Sequence, residues 1–271
     1  MLYAITQTAL SQEMEESFDL AGKAKADGLE IIIANENQSR LLGDNNLIKQ
    51  IKTLANRHKL AVPSVNLSNL RERPSLIGTQ QVIQASQEVI ERGIQTASAV
   101  GAGVLVIPFF GKNLIETEDE LNRAAKTLAE LTEQAEQSQV TLGIESTLNC
   151  NQMTFMLDFL GHSPNVKIYY NTGNALARKF DPATLIRDLG RDSICQVHLK
   201  DVRIGESLPP NFDVPLGQGS VDFRTVAHAL RAIGYDGWLA LETPPGDSPL
   251  DTAKQNLNFA REIMSSPSMD D

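Results

Sequence analysis

Short apolar runs alternate with longer segments of helical periodicity along the whole chain. Residues 29–33 and 104–107 are mostly apolar runs of strand length, bounded by glycine or polar residues. Between such runs, apolar positions recur at helical spacing, as Phe18, Ala21 and Ala24 do within residues 11–27. The alternation predicts strand–helix units that repeat from one end of the chain to the other.

Eight such units are predicted. The predicted strands are residues 2–6, 29–33, 60–66, 104–107, 140–145, 166–171, 194–198 and 238–242. The predicted helices are residues 11–27, 46–58, a long helix that ends at residue 99, and residues 117–137, 152–161, 182–189, 221–233 and 250–264. Residues 35–44, 67–78 and 201–222 are predicted loops, the second of them over the mouth of the sheet, and residues 265–271 are a predicted frayed tail.

The number of units favours one class of fold. Eight alternating strands and helices in 271 residues are typical of a closed parallel α/β barrel, the (β/α)8 TIM barrel, rather than an open sheet. No linker or low-complexity segment divides the chain, so we expect a single domain over residues 1–271. Barrels of this kind carry their sites at the carboxyl ends of the strands.

Four successive predicted strands end in a residue that can coordinate a cation. These residues are Glu145, Asn171, His198 and Glu242. A single carboxylate there is more often a rim group, and a lone strand histidine is more often a core residue. Four strand ends of this type are hard to explain in that way, and His198 is the one histidine of four that lies in a predicted strand. The pattern predicts a metal site at the barrel mouth.

Charge and composition narrow the classes of function. The net charge of −10 argues against non-specific nucleic-acid binding, which depends on a basic surface. No apolar run approaches the roughly 20 residues that span a bilayer, and residues 1–6 do not resemble a signal peptide. Cys150 and Cys195 form no metal-binding pattern, and we expect a reduced cytoplasmic protein, although a disulfide between them stays open.

Five short blocks carry a further signal. They are Gly143-Ile144-Glu145, Tyr170-Asn171-Thr172-Gly173-Asn174, Val197-His198-Leu199-Lys200-Asp201, Pro215-Leu216-Gly217-Gln218-Gly219-Ser220-Val221-Asp222-Phe223 and Leu241-Glu242-Thr243-Pro244. In order and spacing they resemble the xylose isomerase-like superfamily of sugar and sugar-phosphate isomerases and epimerases. The first half of the chain is similar to that superfamily only in its strand–helix rhythm.

The resemblance implies one divalent metal ion (Mn, Mg, Co or Zn) held by Glu145, Asn171, His198 and Glu242. It also implies that Glu145 and Glu242 are the catalytic acid/base groups of a sugar or sugar-phosphate isomerase or epimerase. In that chemistry a proton leaves the carbon next to a carbonyl, and an enediolate forms. Proton return to the opposite face gives ketose epimerisation, whereas return to the adjacent carbon gives aldose–ketose isomerisation. The sequence does not separate these outcomes.

Asn171 departs from the pattern of the superfamily, where Asp is usual at this position. An asparagine still offers a carbonyl oxygen to a metal, but it lacks the charge. Glu145 and Glu242 would then balance a divalent ion by themselves. We expect weaker metal binding and a stronger Lewis acid, and loss of activity stays open.

Substrate-binding roles are predicted for Asn174, Lys200 and Asn66. Asn174 lies where similar epimerases have a substrate-contacting polar group, with ordinary loop chemistry as the alternative. Lys200 follows His198 by two residues and shares its strand face, so it could contact a substrate oxygen or phosphate, or form a structural ion pair. Asn66 ends the third predicted strand and could line the pocket.

The predicted loop of residues 201–222 offers two further candidates. Arg203 could reach a sugar or phosphate oxygen, although a solvated loop charge is the more ordinary interpretation. Gly217 and Gly219 could present backbone N–H groups to a phosphate, but such a pair more often only turns the chain before a helix.

Three rival functions stay open. A DNA-repair enzyme of the endonuclease IV kind would need several more well-placed histidines than this chain has. An inosose-type dehydratase would use the same metal and base. A catalytically decayed sugar-binding barrel would explain Asn171. We expect a small sugar or sugar phosphate as the partner, without nucleic acid or membrane, and the resemblance implies a homo-oligomer.

Overall fold

Eight parallel strands close into a barrel, and each pairs with the strands before and after it in the chain. The computed structural model describes residues 1–73, 75–205 and 209–266. The strands are β1 (Leu2–Thr6), β2 (Gly28–Ile32), β3 (Ser64–Asn66), β4 (Val104–Pro108), β5 (Thr141–Glu145), β6 (Val166–Asn171), β7 (Ile194–Leu199) and β8 (Trp238–Leu241). Parallel pairing of β1 with β8 closes the barrel, which confirms the predicted (β/α)8 fold.

Ten α-helices of the described residues connect these strands and surround them. They are α1 (Met14–Ala24), α2 (Glu36–Arg40), α3 (Asn45–His58), α4 (Gln80–Val100), α5 (Glu118–Gln137), α6 (Cys150–Phe159), α7 (Thr172–Ala177), α8 (Pro182–Leu189), α9 (Phe223–Ala232) and α10 (Pro249–Ser265). Within the described ranges, none of them is both long and apolar enough to cross a membrane.

The structure corrects several predicted boundaries. Residues 35–44, predicted as a loop, contain α2, and α7 follows β6 directly where no helix was predicted. The third strand is shorter than predicted because Pro63, which has no N–H to donate, precedes its first residue. In the segment predicted to cover the mouth, residues Ser68–Glu72 form a 3-10 helix. Helix α10 includes Ser265, and most of the predicted tail, residues 267–271, lies outside the described residues.

Alternate residues of each strand face either the helices or the barrel interior. In β2, Leu29 and Ile31 join the apolar core, whereas Glu30 between them contacts His198 on the opposite side of the barrel. Polar side chains of several strands therefore meet inside the barrel, while the apolar residues beside them hold the helices against the sheet.

Strands β6 and β7 pair irregularly. The register shifts after Ile168, so that β7 accommodates one extra residue, Cys195. Beyond this bulge, Asn171 lies directly opposite His198. The shift therefore fixes which side chains of the two strands are neighbours at the mouth.

Asp201 fixes the long connection from β7 to α9. One carboxylate oxygen accepts hydrogen bonds from the backbone N–H groups of Val202 and Val221, at 2.8 and 3.1 Å. The other accepts from Gly217 and Gly219, at 2.9 and 2.8 Å. A Cβ atom on Gly219 would lie 2.2 Å from this carboxylate, so only glycine fits there. These N–H groups are therefore engaged within the protein and are not a phosphate site.

We expect Asp201→Asn to lower the free energy of unfolding by about 2–4 kcal/mol. Whichever way the new amide turns, its NH2 group faces two N–H donors that have lost their acceptor. Asp213→Asn is the matched control, since it removes the same charge from an exposed position of the same loop. Urea unfolding measures both variants, and equal stabilities would contradict this role of Asp201.

Candidate active site

The four predicted strand-end residues meet at the carboxyl end of the barrel. His198 Nδ1 lies 3.1 Å from Glu145 Oε1 and 3.4 Å from Glu242 Oε2. Glu145 and His198 are buried, whereas the side chain of Glu242 is 30% exposed. The parallel barrel thus brings together residues that are nearly 100 positions apart in the sequence.

Asn171 presents its amide nitrogen, not its oxygen, to this cluster. Nδ2 donates to Glu145 Oε1 and to Glu242 Oε2, both at 2.8 Å. The carbonyl oxygen accepts the backbone N–H of Asn174 at 3.0 Å and so caps the first turn of α7. The side chain bridges the two glutamates as a donor, an orientation that differs from the predicted ligand role.

Glu30 is a second partner of His198 that the sequence interpretation missed. Its Oε1 lies 3.0 Å from His198 Nε2, and its side chain is fully buried. A carboxylate on the far ring nitrogen fixes the orientation of an imidazole and leaves Nδ1 directed at the cluster. The available signal was a single charge inside the otherwise apolar strand β2.

A layer of buried polar side chains inside the barrel forms hydrogen bonds around Glu30. Ser64 donates to Glu30 Oε2 at 2.6 Å, and the Tyr169 hydroxyl donates to the same oxygen. Gln196 Nε2 in turn donates to the Tyr169 hydroxyl at 2.8 Å. Gly143 gives the tyrosine its space, because a Cβ atom there would lie 2.9 Å from Val104 and 3.2 Å from Tyr169. The buried charge of Glu30 is therefore well compensated.

The buried groups shift one another's pKa. Burial opposes protonation of His198, but the carboxylates of Glu30, Glu145 and Glu242 outweigh it and raise the imidazole pKa well above 6.5. Burial likewise favours neutral Glu30, yet His198 and the hydrogen bonds from Ser64 and Tyr169 lower its pKa below 4.5. For Glu242, burial is outweighed by Lys200 and His198, which bring its pKa to about 2. Glu30 and Glu242 are therefore ionised at neutral pH.

The donor set fits a divalent cation. Glu145, His198 and Glu242 each offer one ligand atom, and these atoms lie within 4.8 Å of one another. Ligands about 2.0–2.2 Å from a shared ion are roughly 3–3.5 Å apart, which agrees with the spacing from the imidazole to the two carboxylates. An amide nitrogen is no ligand, so Asn171 would have to turn and give up its bond to Asn174 to join them.

A cavity of about 320 Å³ opens above the cluster. The predicted substrate-binding residues Asn66, Asn174 and Lys200 line it. Phe110 and Phe212 form apolar parts of its wall, whereas Phe109, next in sequence to Phe110, is fully buried in the core. The volume is suited to a small sugar-sized ligand.

Lys200 forms an ion pair inside this cavity. Its Nζ lies 2.8 Å from Glu242 Oε1 and 4.8 Å from the ring centre of Phe212. Lys200 therefore forms the ion pair that was one of its two predicted roles, and because it also lines the cavity, contact with a substrate oxygen or phosphate stays a prediction.

Arg203 is not brought to the cavity. Its side chain is exposed and donates to the carbonyl oxygen of Gln218 at 3.2 Å, and its backbone pairs with Asn211. Among the described residues that line the cavity, Arg203 is absent. The structure thus places it as a solvated loop charge.

We expect Glu30→Gln to lower the pKa of His198 in chelator-treated protein, because one of three carboxylates that favour the imidazolium loses its charge. Since the folded pKa of His198 is raised, its contribution to stability is fully present below about pH 6.5 and disappears as the pH rises through the folded value. The variant should lose that contribution at lower pH than the wild type.

NMR titration of the imidazole measures this shift directly. Glu36→Gln neutralises an exposed carboxylate at the first residue of α2. It is the control and should leave the His198 titration unchanged. An unchanged His198 pKa in Glu30→Gln would show that the contact is not electrostatically important.

Curated relatives align with part of the chain. SgbU of Escherichia coli K12, a proposed L-ribulose-5-phosphate 3-epimerase, is 32% identical over 193 residues, 68% of this chain and 66% of SgbU. UlaE of Shigella flexneri serotype 5b, an L-ribulose-5-phosphate 3-epimerase, is 29% identical over 187 residues, 67% of this chain and 64% of UlaE. An inosose dehydratase of Lacticaseibacillus casei is 25% identical over 176 residues, 56% of this chain and 57% of that protein. The alignments thus span less than two thirds of these relatives' own lengths.

Solved structures share the fold over nearly the whole chain. The crystal structure of a D-tagatose 3-epimerase-like protein superposes with a TM-score of 0.76 and 21% sequence identity. The match covers 97% of this chain and 98% of that protein. At this identity the likeness concerns the fold.

A family comparison covers most of the sequence. The sequence model described as xylose isomerase-like TIM barrel matches residues 18–263, which include every strand from β2 to β8 and all four strand-end residues. The closed barrel and the resemblance in its second half agree with this match. The chain belongs to the xylose isomerase-like TIM barrel family.

Proposed function

We propose that this protein is a metal-dependent isomerase that epimerises a ketose or ketose phosphate at the carbon next to the carbonyl. The observation that carries the proposal is the convergence of Glu145 and Glu242 with His198 at the floor of a sugar-sized cavity. Two carboxylates at one carbon supply both a proton acceptor and a proton donor. The epimerase relatives support the same class of reaction.

Glu145, His198 and Glu242 are the residues that would hold the ion. When bound, a divalent cation supplies Lewis-acid stabilisation of the negative charge that develops on the substrate oxygens. Glu30 keeps the imidazole of His198 turned toward this position through its contact with Nε2. Asn171 contributes a neutral donor, so the charge of the two cavity glutamates balances that of the ion.

The glutamates are held in different ways. Glu242 binds Lys200 through Oε1 and Asn171 through Oε2, and the positive charges of Lys200 and His198 keep it ionised and so able to accept a proton. Glu145 is buried and shares the Asn171 amide. One carboxylate accepts the proton from the substrate carbon, and the electron pair moves toward the carbonyl oxygen to form the enediolate. The other carboxylate takes up a proton from solvent and donates it to the opposite face, which inverts that carbon, and the first carboxylate then releases its proton to solvent.

An inosose-type dehydratase is the second candidate. The relative from Lacticaseibacillus casei favours it, and the same base could remove a proton while a neighbouring hydroxyl leaves as water. A decayed sugar-binding barrel is the third, but Glu145, His198 and Glu242 are all present and close together. The predicted cytoplasmic location and homo-oligomer stay predictions.

We expect Glu145→Gln and Glu242→Gln each to reduce turnover by at least about 100-fold, because an amide cannot accept the proton. Solvent deuterium exchange into L-ribulose or its 5-phosphate, followed by NMR, measures the proton transfer itself. Circular dichroism should show an unchanged fold. Glu133→Gln, at an exposed position of α5, is the control, and wild-type activity in either active-site variant would exclude the assignment.

We expect about one divalent ion per chain in the wild type, lost in His198→Ala and held at least about tenfold more tightly in Asn171→Asp. The aspartate adds a charge and an oxygen that can face the ion while the other oxygen keeps the bond to Asn174. Without metal, the same variant should melt at a lower temperature, since four carboxylates then surround His198.

Titration calorimetry with Mn²⁺ and thermal unfolding in chelator test the two halves of this prediction. Asn149→Asp, at the half-buried N-cap of α6, adds an equal charge outside the cluster and serves as the control. Equal Mn²⁺ affinity in wild type and Asn171→Asp would show that the amide already turns its oxygen to the ion.

A further inference from the structure

We infer that Arg71, together with Ser68, forms an anion subsite at the cavity mouth that takes the phosphate group of a phosphorylated ketose. This inference rests on the proposed function and specifies its substrate class. It is carried by the position of Arg71 on the cavity wall, by its charge and by the lack of an ion-pair partner for it among the described residues.

Arg71 and Ser68 belong to the 3-10 helix Ser68–Glu72 that follows β3, and both line the cavity. Arg71 is exposed and Ser68 is half-buried, whereas Glu145 and His198 at the floor are buried. The subsite therefore lies at the outer end of the cavity. A substrate whose reacting carbon is at the floor would direct its far end toward this rim.

The segment that carries Arg71 is held firmly. Leu70, the preceding residue, is fully buried, and its carbonyl oxygen accepts the Ser75 hydroxyl at 2.7 Å. The backbone N–H of Asn69 donates to Ile33 at 2.8 Å. A fixed backbone beneath a long cationic side chain limits the ordering that ligand binding would require.

The two cavity-lining cations differ in what they contact. Lys200 is engaged by Glu242 at 2.8 Å. Arg71 has no ion-pair partner among residues 1–73, 75–205 and 209–266. If a divalent ion balanced Glu145 and Glu242, the cavity wall would keep excess positive charge from Lys200 and Arg71, in a protein whose net charge is −10. An anionic substrate compensates that charge, and a guanidinium is well matched to phosphate oxygens.

Asn66 supplies a neighbouring acceptor. Its Nδ2 donates to Glu30 Oε1 at 3.3 Å, which directs Oδ1 elsewhere. Oδ1 is buried, lacks a hydrogen-bond partner among the described residues, and belongs to a side chain that lines the cavity. A sugar hydroxyl could donate to Oδ1 after a shift of the side chain that exposes this atom to the cavity. Asn66 and Arg71 thus offer contacts for a hydroxyl and an anion from one short stretch of chain.

The test compares L-ribulose 5-phosphate with L-ribulose on the Mn²⁺-loaded protein. We expect the wild type to favour the phosphorylated sugar in kcat/KM, and Arg71→Gln to lose about 10- to 100-fold for that sugar alone. Arg71→Lys should restore part of the loss. Arg73→Gln is the matched control, because Arg73 carries the same charge nearby but does not line the cavity. An equal loss for both sugars, or no preference in the wild type, would overturn the subsite.

Binding measurements with the two sugars test the anion subsite independently of the proposed epimerisation. Calorimetry should show tighter binding of L-ribulose 5-phosphate than of L-ribulose, and Arg71→Gln should abolish the difference. If neither sugar is turned over but this binding preference is found, the anion subsite is supported and the proposed epimerisation of these sugars is wrong. Equal binding of the two sugars would overturn the subsite even in an active enzyme. Inorganic phosphate bound with equal affinity by wild type and Arg71→Gln would also overturn it.

Discussion

The imidazole of His198, held between Glu30 below and Glu145 and Glu242 above, is the interaction on which the site depends. Its two ring nitrogens face opposite layers of the barrel, at 3.0 Å from Glu30 and 3.1 Å from Glu145. Because both contacts are buried, the ring cannot turn without leaving a charge unpaired. The same residue therefore joins the supporting layer of the interior to the Glu145 and Glu242 carboxylates at the mouth.

Asn171 brings no charge to this arrangement, and none of its polar side-chain atoms lacks a hydrogen-bond partner. Its amide donates to both glutamates and its oxygen caps α7, so each polar atom has a partner. A carboxylate at the same place would add repulsion until a cation bound. An ion bound there would therefore compete with a hydrogen-bond donor that already links the two carboxylates.

Two irregular parts of the barrel complete the cavity. The connection after β7 takes its shape from the carboxylate of Asp201, which accepts four backbone N–H groups and leaves Phe212 against Lys200. The segment after β3 brings Arg71 to the rim. Both lie on strand-to-helix connections, where the barrel allows variation while its strands keep the floor constant.

The barrel could be predicted from the sequence alone, because strand and helix periodicity repeats eight times along the chain. The four strand-end residues could also be predicted, since a polar group at the end of an apolar run is a local feature of the sequence. The sequence did not reveal the role of Glu30 or the absence of Arg203 from the cavity. Glu30 needed His198, 168 positions away, to be recognised as a partner. The orientation of the Asn171 amide was likewise decided by tertiary structure, because the β6–β7 bulge and the first turn of α7 determine what each of its atoms meets.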